Sequence, residues 1–516
     1  MMKFLNKLYN QSMVAFLLCM LFECTEVLPA HAVVNLYLDP DWTGAQSGTQ
    51  TQPFASFSAG AWSTINAALA TDNVTVYLSA REAGSDTDDV LNASIDITQK
   101  TPNPTGVLTI NGNSFYNSSD SGPTWVAYGG QSKARVNAIE GQNDAHIKYN
   151  KVTIDGVHIV QNSGTKGLSI CGDNWTVKNS NIEHGPNGGG ALVLIVPTAD
   201  SAHEGSSAYC PASANITIQN NTIHDSVGEL IYVGGAGCST TNSALSSTSC
   251  NGVPSHSNIS ILNNTLTNCG SRASQGDCID MKGGLANVTI RGNNISNAGA
   301  VARAIVGQGT QTNGTNQNII IERNYIHDLP DVDDAAIAVV NSWGTPNGYM
   351  IRNNIIDTVN GGGAIHVYGT QSAGVKVFNN TIYNASGSCI SSDSGSTLEV
   401  RNNACLSNNS GGNQTALAGS TTSTNNAYSG SWGGTCTNCV PGLSTIAFKN
   451  STGGDFTLVS GSLLTDVGAS VTSFSDDYIG TSRPQGTSWD IGAYELNLGG
   501  GGNAVIPPSP TNLTVQ

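Results

Sequence analysis

The sequence predicts an all-β fold, a right-handed parallel β-helix, and three observations carry that expectation. The first is a recurring unit between about residues 150 and 410: a short β-branched strand, an Asn-rich turn, a second short strand, a Gly-rich corner and a third strand. Examples are Ile216-Thr-Ile218 before "QNNTI", Ile259-Ser-Ile261 before "LNNTL", Val288-Thr-Ile290 before "RGNNI" and Val375-Lys-Val377 before "FNNTI". The second is spacing. Strand starts at residues 259, 288, 319, 349, 375 and 398 lie 29, 31, 30, 26 and 23 residues apart, the length of one unit that buries its apolar face only by stacking on its neighbours. The third is composition: 60 glycines and 11% charged residues in 516 suit short strands and tight turns. Asn tolerates the left-handed turn conformation, and its amide can bond to the next Asn one coil away. The paired asparagines therefore read as structural.

The rest of the chain divides around this repeat. Residues 1–32 read as an export signal: Lys3 and Lys7, an apolar run from Met13 to Phe22, then Ala30-His-Ala32 as a cleavage site. That run is too short to span a bilayer, and no later segment approaches twenty apolar residues, so a secreted or periplasmic protein without a membrane span is expected. Residues 33–150 form an N-terminal cap and first coils, with an amphipathic helix over Ala59–Ala70 that puts Trp62, Ile65 and Leu69 on one face. Residues 151–410 are the repeats, 411–498 a C-terminal closing segment, and 499–516 a flexible Gly/Pro-rich tail.

Removing Cys19 and Cys24 with the signal leaves 10 of 12 cysteines, an even number that favours disulfides in an exported chain. Cys238/Cys250 and Cys269/Cys278 look bridgeable. The spacing of Cys436-Thr-Asn-Cys439 also suits zinc, but with no partner pair a local disulfide is the better reading. A net charge of −16 argues against nucleic acid as a partner. A polyanionic substrate would need a local basic patch or a bridging cation.

Two segments carry a family resemblance. "YLDPDWTGAQSGTQTQPFAS" resembles the opening of many secreted parallel β-helix proteins, including polysaccharide lyases related to the family 9 pectate lyases. "GDFTLVSGSLLTDVGA" followed by "RPQGTSWDIGAYE" resembles the closing segment of that bacterial class, and "PPSPTNLTV" resembles the first strand of a fibronectin type III domain. The resemblance covers nearly the whole mature chain and implies the fold, while the same frame carries lyases, hydrolases, epimerases and adhesins.

Candidate site residues follow from aligning the third strands on Ile231, Ile279, Ile305, Ile337, Ile365 and Ile390. One outward column then reads Tyr232, Asp280, Val306, Ala338, His366, Ser391, and the next Gly234, Lys282, Gln308, Val340, Tyr368, Asp393. A corner column holds Glu229, Asp277 and Arg303. Elimination from a uronate needs a base beside the carboxylate and a positive charge to hold the charge that develops there. Lys282 is the candidate base, Asp280 its neighbour, and Asp277, Asp280 and Glu229 candidate calcium ligands. Arg303 as charge stabiliser is implied by resemblance to β-helix lyases that pair a Lys with an Arg one coil on; in the alignment it falls level with Asp277. Tyr232, Gln308, His366, Tyr368 and Trp343 are candidate substrate contacts. The expected function is a lyase on an acidic polysaccharide, acting as a monomer. Two alternatives stand: a glycoside hydrolase using carboxylates such as Asp333, Asp334 or Asp280, and a non-catalytic surface or polysaccharide-binding protein in which Asp280 and Lys282 merely neutralise each other.

Overall fold

A computed structural model describes residues 31–80, 90–117, 125–130, 132–142, 147–162, 166–196, 210–234, 256–270, 276–299, 302–309, 317–332, 334–341, 345–369, 374–406, 415–417 and 420–496. The signal segment, the tail, Cys238, Cys250, Asp333 and Trp343 lie outside the described residues.

The first strand of each coil joins a 13-stranded sheet running from Val33–Leu38 to Ser420–Thr424. Every pairing in it is parallel and coil-to-coil, so one aliphatic position repeats along the axis: Val177 faces Ile218, then Ile261, Ile290, Ile321, Ile351, Val377 and Val400. The second and third strands of each coil form the other two faces, linked among the described residues into a 22-stranded set. This is a parallel β-helix, its interior a column of fully buried Ile, Val and Leu. Alternation along each short strand sends those side chains inward and leaves the intervening residues on the faces.

The two asparagines of each turn divide the work. The first takes the left-handed conformation, as at Asn220 (φ 56°), Asn263 (φ 54°), Asn353 (φ 51°) and Asn402 (φ 55°), with Gly292 and Arg323 holding the place elsewhere. The second is buried and forms a ladder: Asn264 Nδ2 donates to Ile218 O and to Asn293 Oδ1, both at 3.0 Å, and Asn293 repeats this toward Asn324. The ladder runs on through Asn354, Asn380, Asn403 and Asn426.

The repeat also includes a coil the periodic pattern passes over, opening at Trp175-Thr-Val-Lys178 and pairing with Val152–Asp155. Its indole is buried where the two flanking coils carry Val152 and Ile216, and Nε1 donates to Tyr149 O at 2.6 Å. A second aromatic enters the core at Tyr349. Gly307 makes room, since a Cβ there would lie 2.6 Å from the Tyr349 ring.

The expected helix spans Ala59–Leu69, capped by the Ser58 hydroxyl, and buries Ala61, Trp62, Ile65 and Leu69. The C-terminal segment lies along the flank of the solenoid. Asn353, Asn379, Asn402 and Asn425 each donate a side-chain amide to its backbone carbonyls. Beneath it, Phe448, Phe456, Ile491 and Tyr494 pack against Ile355, Ala404 and Ala427. Its organising side chain is Arg483, whose Nη1 donates to Glu495 Oε2 at 2.6 Å with both side chains fully buried.

Cys269–Cys278 and Cys436–Cys439 are disulfides, as expected, and Cys171–Cys210 is a third. Cys389 and Cys405 stay as thiols, buried in the core. Burial and hydrogen bonding with Cys389 push the Cys405 thiol up. No helix among the described residues is long and apolar enough to cross a membrane.

Candidate functional site

The third face carries the candidate residues in the register that the isoleucine alignment predicts. Ile231, Ile279, Ile305, Ile337, Ile365 and Ile390 pair in succession, which stacks Tyr232, Asp280, Val306, Ala338, His366 and Ser391. Gln308 faces Val340 in the adjoining column. With coils about 4.8 Å apart, two clusters form on this face, joined by one arginine.

The upper cluster surrounds Lys282. Its Nζ donates to Asp280 Oδ2 at 2.5 Å and lies 5.1 Å from the centre of the Tyr232 ring. Asp280 stands in an outward column but is buried, 3% exposed, so the strand is not the exposed one expected, while the pairing of Asp280 with Lys282 is present. A carboxylate taken this far from water needs a counter-charge; Lys282 supplies one to Oδ2, while Oδ1 has no hydrogen-bond partner. Asp277, at the corner, accepts from the Arg303 backbone N–H at 2.7 Å. Its carboxyl is pushed up to about 7 from 3.8, by burial first and the Asp280 charge second, with Arg303 and Lys282 pulling the other way. Burial also raises Glu229, with Asp280 adding to the effect.

The raised carboxyls make stability depend on pH. The folded chain keeps the Asp277 proton across roughly pH 4 to 7, where the unfolded chain has released it, so stability falls as pH rises through that window and levels off above it. Glu229 contributes with the same sign. In Asp277→Asn the fall in Tm between about pH 4.5 and 7.5 is expected to shrink but not vanish. An unchanged slope would place the charge-burial cost elsewhere.

The lower cluster centres on Asp334. Oδ2 accepts from Tyr368 Oη at 2.5 Å and from His366 Nδ1 at 2.7 Å, while His366 Nε2 bonds to Asp393 at 3.3 Å. The His366 and Tyr368 rings stack with centroids 4.0 Å apart. Burial pulls the imidazole down, but its hydrogen bonds and the charges of Asp334 and Asp393 overcome this and hold it above its ordinary value. Burial pushes Asp334 up, and the bonds from His366 and Tyr368 reverse it, holding the carboxyl low. Burial, and donation to Asp334, raise the Tyr368 hydroxyl.

Arg303 links the clusters: its charge acts on Asp277 above and on Asp334 and Tyr368 below. Position in the alignment placed it only beside Asp277; its length carries it further. Gln308 is buried, 6% exposed; its main-chain carbonyl accepts from Tyr349 Oη at 2.7 Å, and its side-chain Oε1 has no hydrogen-bond partner. Sequence reasoning missed the Asp334–His366–Tyr368 link. Extending the corner column one residue outward, to Asp334 ahead of Ile337, would have found it.

The three residues proposed as calcium ligands act on one another by charge, but their ligand atoms do not all lie within 4.8 Å of one another. Among the described residues, the acidic and imidazole group whose ligand atoms share a 4.8 Å neighbourhood is Glu183, His224 and Asp225, on the second face. Asp280 Oδ1, buried and without a hydrogen-bond partner, is the one oxygen of the three that stands open to a cation.

The sequence matches no family model and no curated protein sequence. Solved structures similar to it include the pectate lyase Pel9A, at 13% identity over 90% of this chain and 97% of that one, TM-score 0.43. An alginate lyase from Paenibacillus sp. str. FPU-7 is 14% identical over 66% of this chain and 99% of its own, TM-score 0.37. PfbA, a surface adhesin of Streptococcus pneumoniae, is 16% identical over 68% and 79%, TM-score 0.35. Likenesses of this degree select no activity, and the fold rests on the chain's own strand pairing.

Proposed function

We propose that this protein is an exported enzyme that cleaves a uronate-containing polysaccharide by β-elimination. The observation that supports this best is the placement of Lys282 and Arg303 on consecutive coils, their charges both acting on the corner carboxyl of Asp277. In a chain of net charge −16, these two side chains are the cations this face offers to an acidic polymer. Arg303 faces the substrate carboxylate and takes up the charge that develops on it. Lys282 Nζ, in its neutral form, removes the proton on the carbon beside that carboxylate. The freed electron pair forms a carbon–carbon double bond, the glycosidic C–O bond breaks, and the leaving oxygen takes the proton that Lys282 removed. Tyr232, His366 and Tyr368 line the same face and contact the sugar rings, and an export signal and disulfides fit an extracytoplasmic site of action.

One observation favours a second reading. Asp277, pushed up to about 7, lies beside the charged Asp280, and two carboxyls whose environments separate their proton affinities can divide acid and base roles in hydrolysis. Incubation with pectate, alginate and glycosaminoglycans, with and without calcium, separates the readings. Elimination gives an unsaturated product absorbing in the near ultraviolet; hydrolysis gives reducing ends without it. Absence of any turnover leaves the polysaccharide-binding reading.

A further inference from the structure

We infer that the second face carries a binding site for a divalent transition metal, of the zinc class, formed by Glu183, His224 and Asp225 with His158 behind it. Glu183 and His224 are register partners on adjacent strands, and Asp225 follows His224 in the turn. Their ligand atoms lie within 4.8 Å of one another. His224 Nδ1 is 2.6 Å from Asp225 Oδ2 and 3.8 Å from Glu183 Oε2, a spread that brackets the roughly 3.4 Å between donors around a tetrahedral zinc.

The supporting contacts hold each ligand in place. His224 Nε2 donates to Asn181 Oδ1 at 3.0 Å, which leaves Nδ1 to face the two carboxylates. Asn268 Nδ2 donates to Asp225 Oδ1 at 2.6 Å and leaves Oδ2 toward the site. His158 Nε2 bonds to Glu183 Oε1 at 2.7 Å, orienting Oε2 toward His224. A mixed imidazole and carboxylate set suits zinc, manganese or nickel better than calcium, which takes oxygen alone.

The repeat supplies an internal control. His327 sits in the same turn, with Nδ1 2.7 Å from Asp328 Oδ2 and Nε2 2.7 Å from Asn294 Oδ1. The residue registered with His327 in the preceding coil is Ser296, where His224 has Glu183. The His-Asp turn is therefore a fold element, and the added glutamate turns one copy of it into a ligand set.

The test is isothermal titration of zinc into the full chain after chelator treatment. One equivalent is expected to bind to wild type and to His327→Ala, and to bind at least about ten-fold more weakly to Glu183→Gln and His224→Ala. Glu183→Gln keeps size and hydrogen bonding, so it reads ligation where His224→Ala disturbs folding. Absence of saturable binding, unchanged affinity in Glu183→Gln, or preference for calcium over zinc would each overturn the assignment. None of these outcomes depends on whether the third face is catalytic.

Discussion

Lys282→Arg is expected to leave the protein folded and to lower the rate of unsaturated product formation by about 10²–10⁴-fold. Arginine keeps a positive charge beside the buried Asp280 but does not deprotonate, so it can balance that carboxylate without serving as a base. Lys282→Ala is the harsher change. It removes the base and also strands a carboxylate whose side chain is 5% exposed, which costs several kcal/mol when one partner of a buried pair is deleted. The informative comparison is kcat/KM from product absorbance with Tm for both variants. An Arg variant active to within ten-fold of wild type would make Lys282 a charge and not a base, and elimination with Lys282 as the base would fail as a mechanism.

Arg483→Met is expected to cost the largest share of stability of any single change outside the strands, on the order of 3–5 kcal/mol. The guanidinium donates to Glu495, to the carbonyls of Asp476, Asp490, Gly492 and Ala493, and to Asn353 Oδ1. Removing it leaves several buried carbonyls and one buried carboxyl unsatisfied. Burial pushes Glu495 up to about 7 even with Arg483 beside it. Ionising Glu495 in the folded chain therefore has a cost that grows as pH rises from about 4.5 toward 7, and without the arginine that cost is larger. The Tm deficit of Arg483→Met should be greater at pH 8 than at pH 5, and adding Glu495→Gln should recover part of it. A deficit independent of pH would show that the carbonyl contacts, and not the charge pair, hold the segment.

The fold was legible because the Asn turn and its flanking aliphatics repeat in one dimension, where a local pattern and the global structure are the same thing. The Trp175 coil escaped because its turn reads Asn179-Ser180, with serine where the later turns carry their second asparagine, though the pairing is unaltered. The position of the closing segment was not legible. Its bonds to the coils join residues 42 to 123 apart, from Asn425 to Val467 up to Asn353 to Asp476, and single polar contacts at such ranges leave no periodic trace. Within the site, the columns followed from isoleucines that anchor the strands. The reach of Arg303, the burial of Asp280 and the pairing of His366 with Asp334 depend on side-chain length and cover, which column arithmetic does not contain. The second-face cluster was hidden because His224-Asp225 belongs to a turn repeated at His327-Asp328.

The asparagine ladder is also a vector. Along it each side-chain oxygen accepts from the coil before, and each amide hands a hydrogen to the oxygen of the coil after, beginning where Ser180 N donates to Asn221 Oδ1 and ending where Asn426 Nδ2 meets the Ser423 hydroxyl. The amide dipoles therefore add in one sense along the axis, as peptide dipoles do in a helix. The two ends of the ladder are chemically unlike for this reason: an acceptor oxygen opens it and is met by the Ser180 N–H, and a donor amide closes it and is met by the Ser423 hydroxyl.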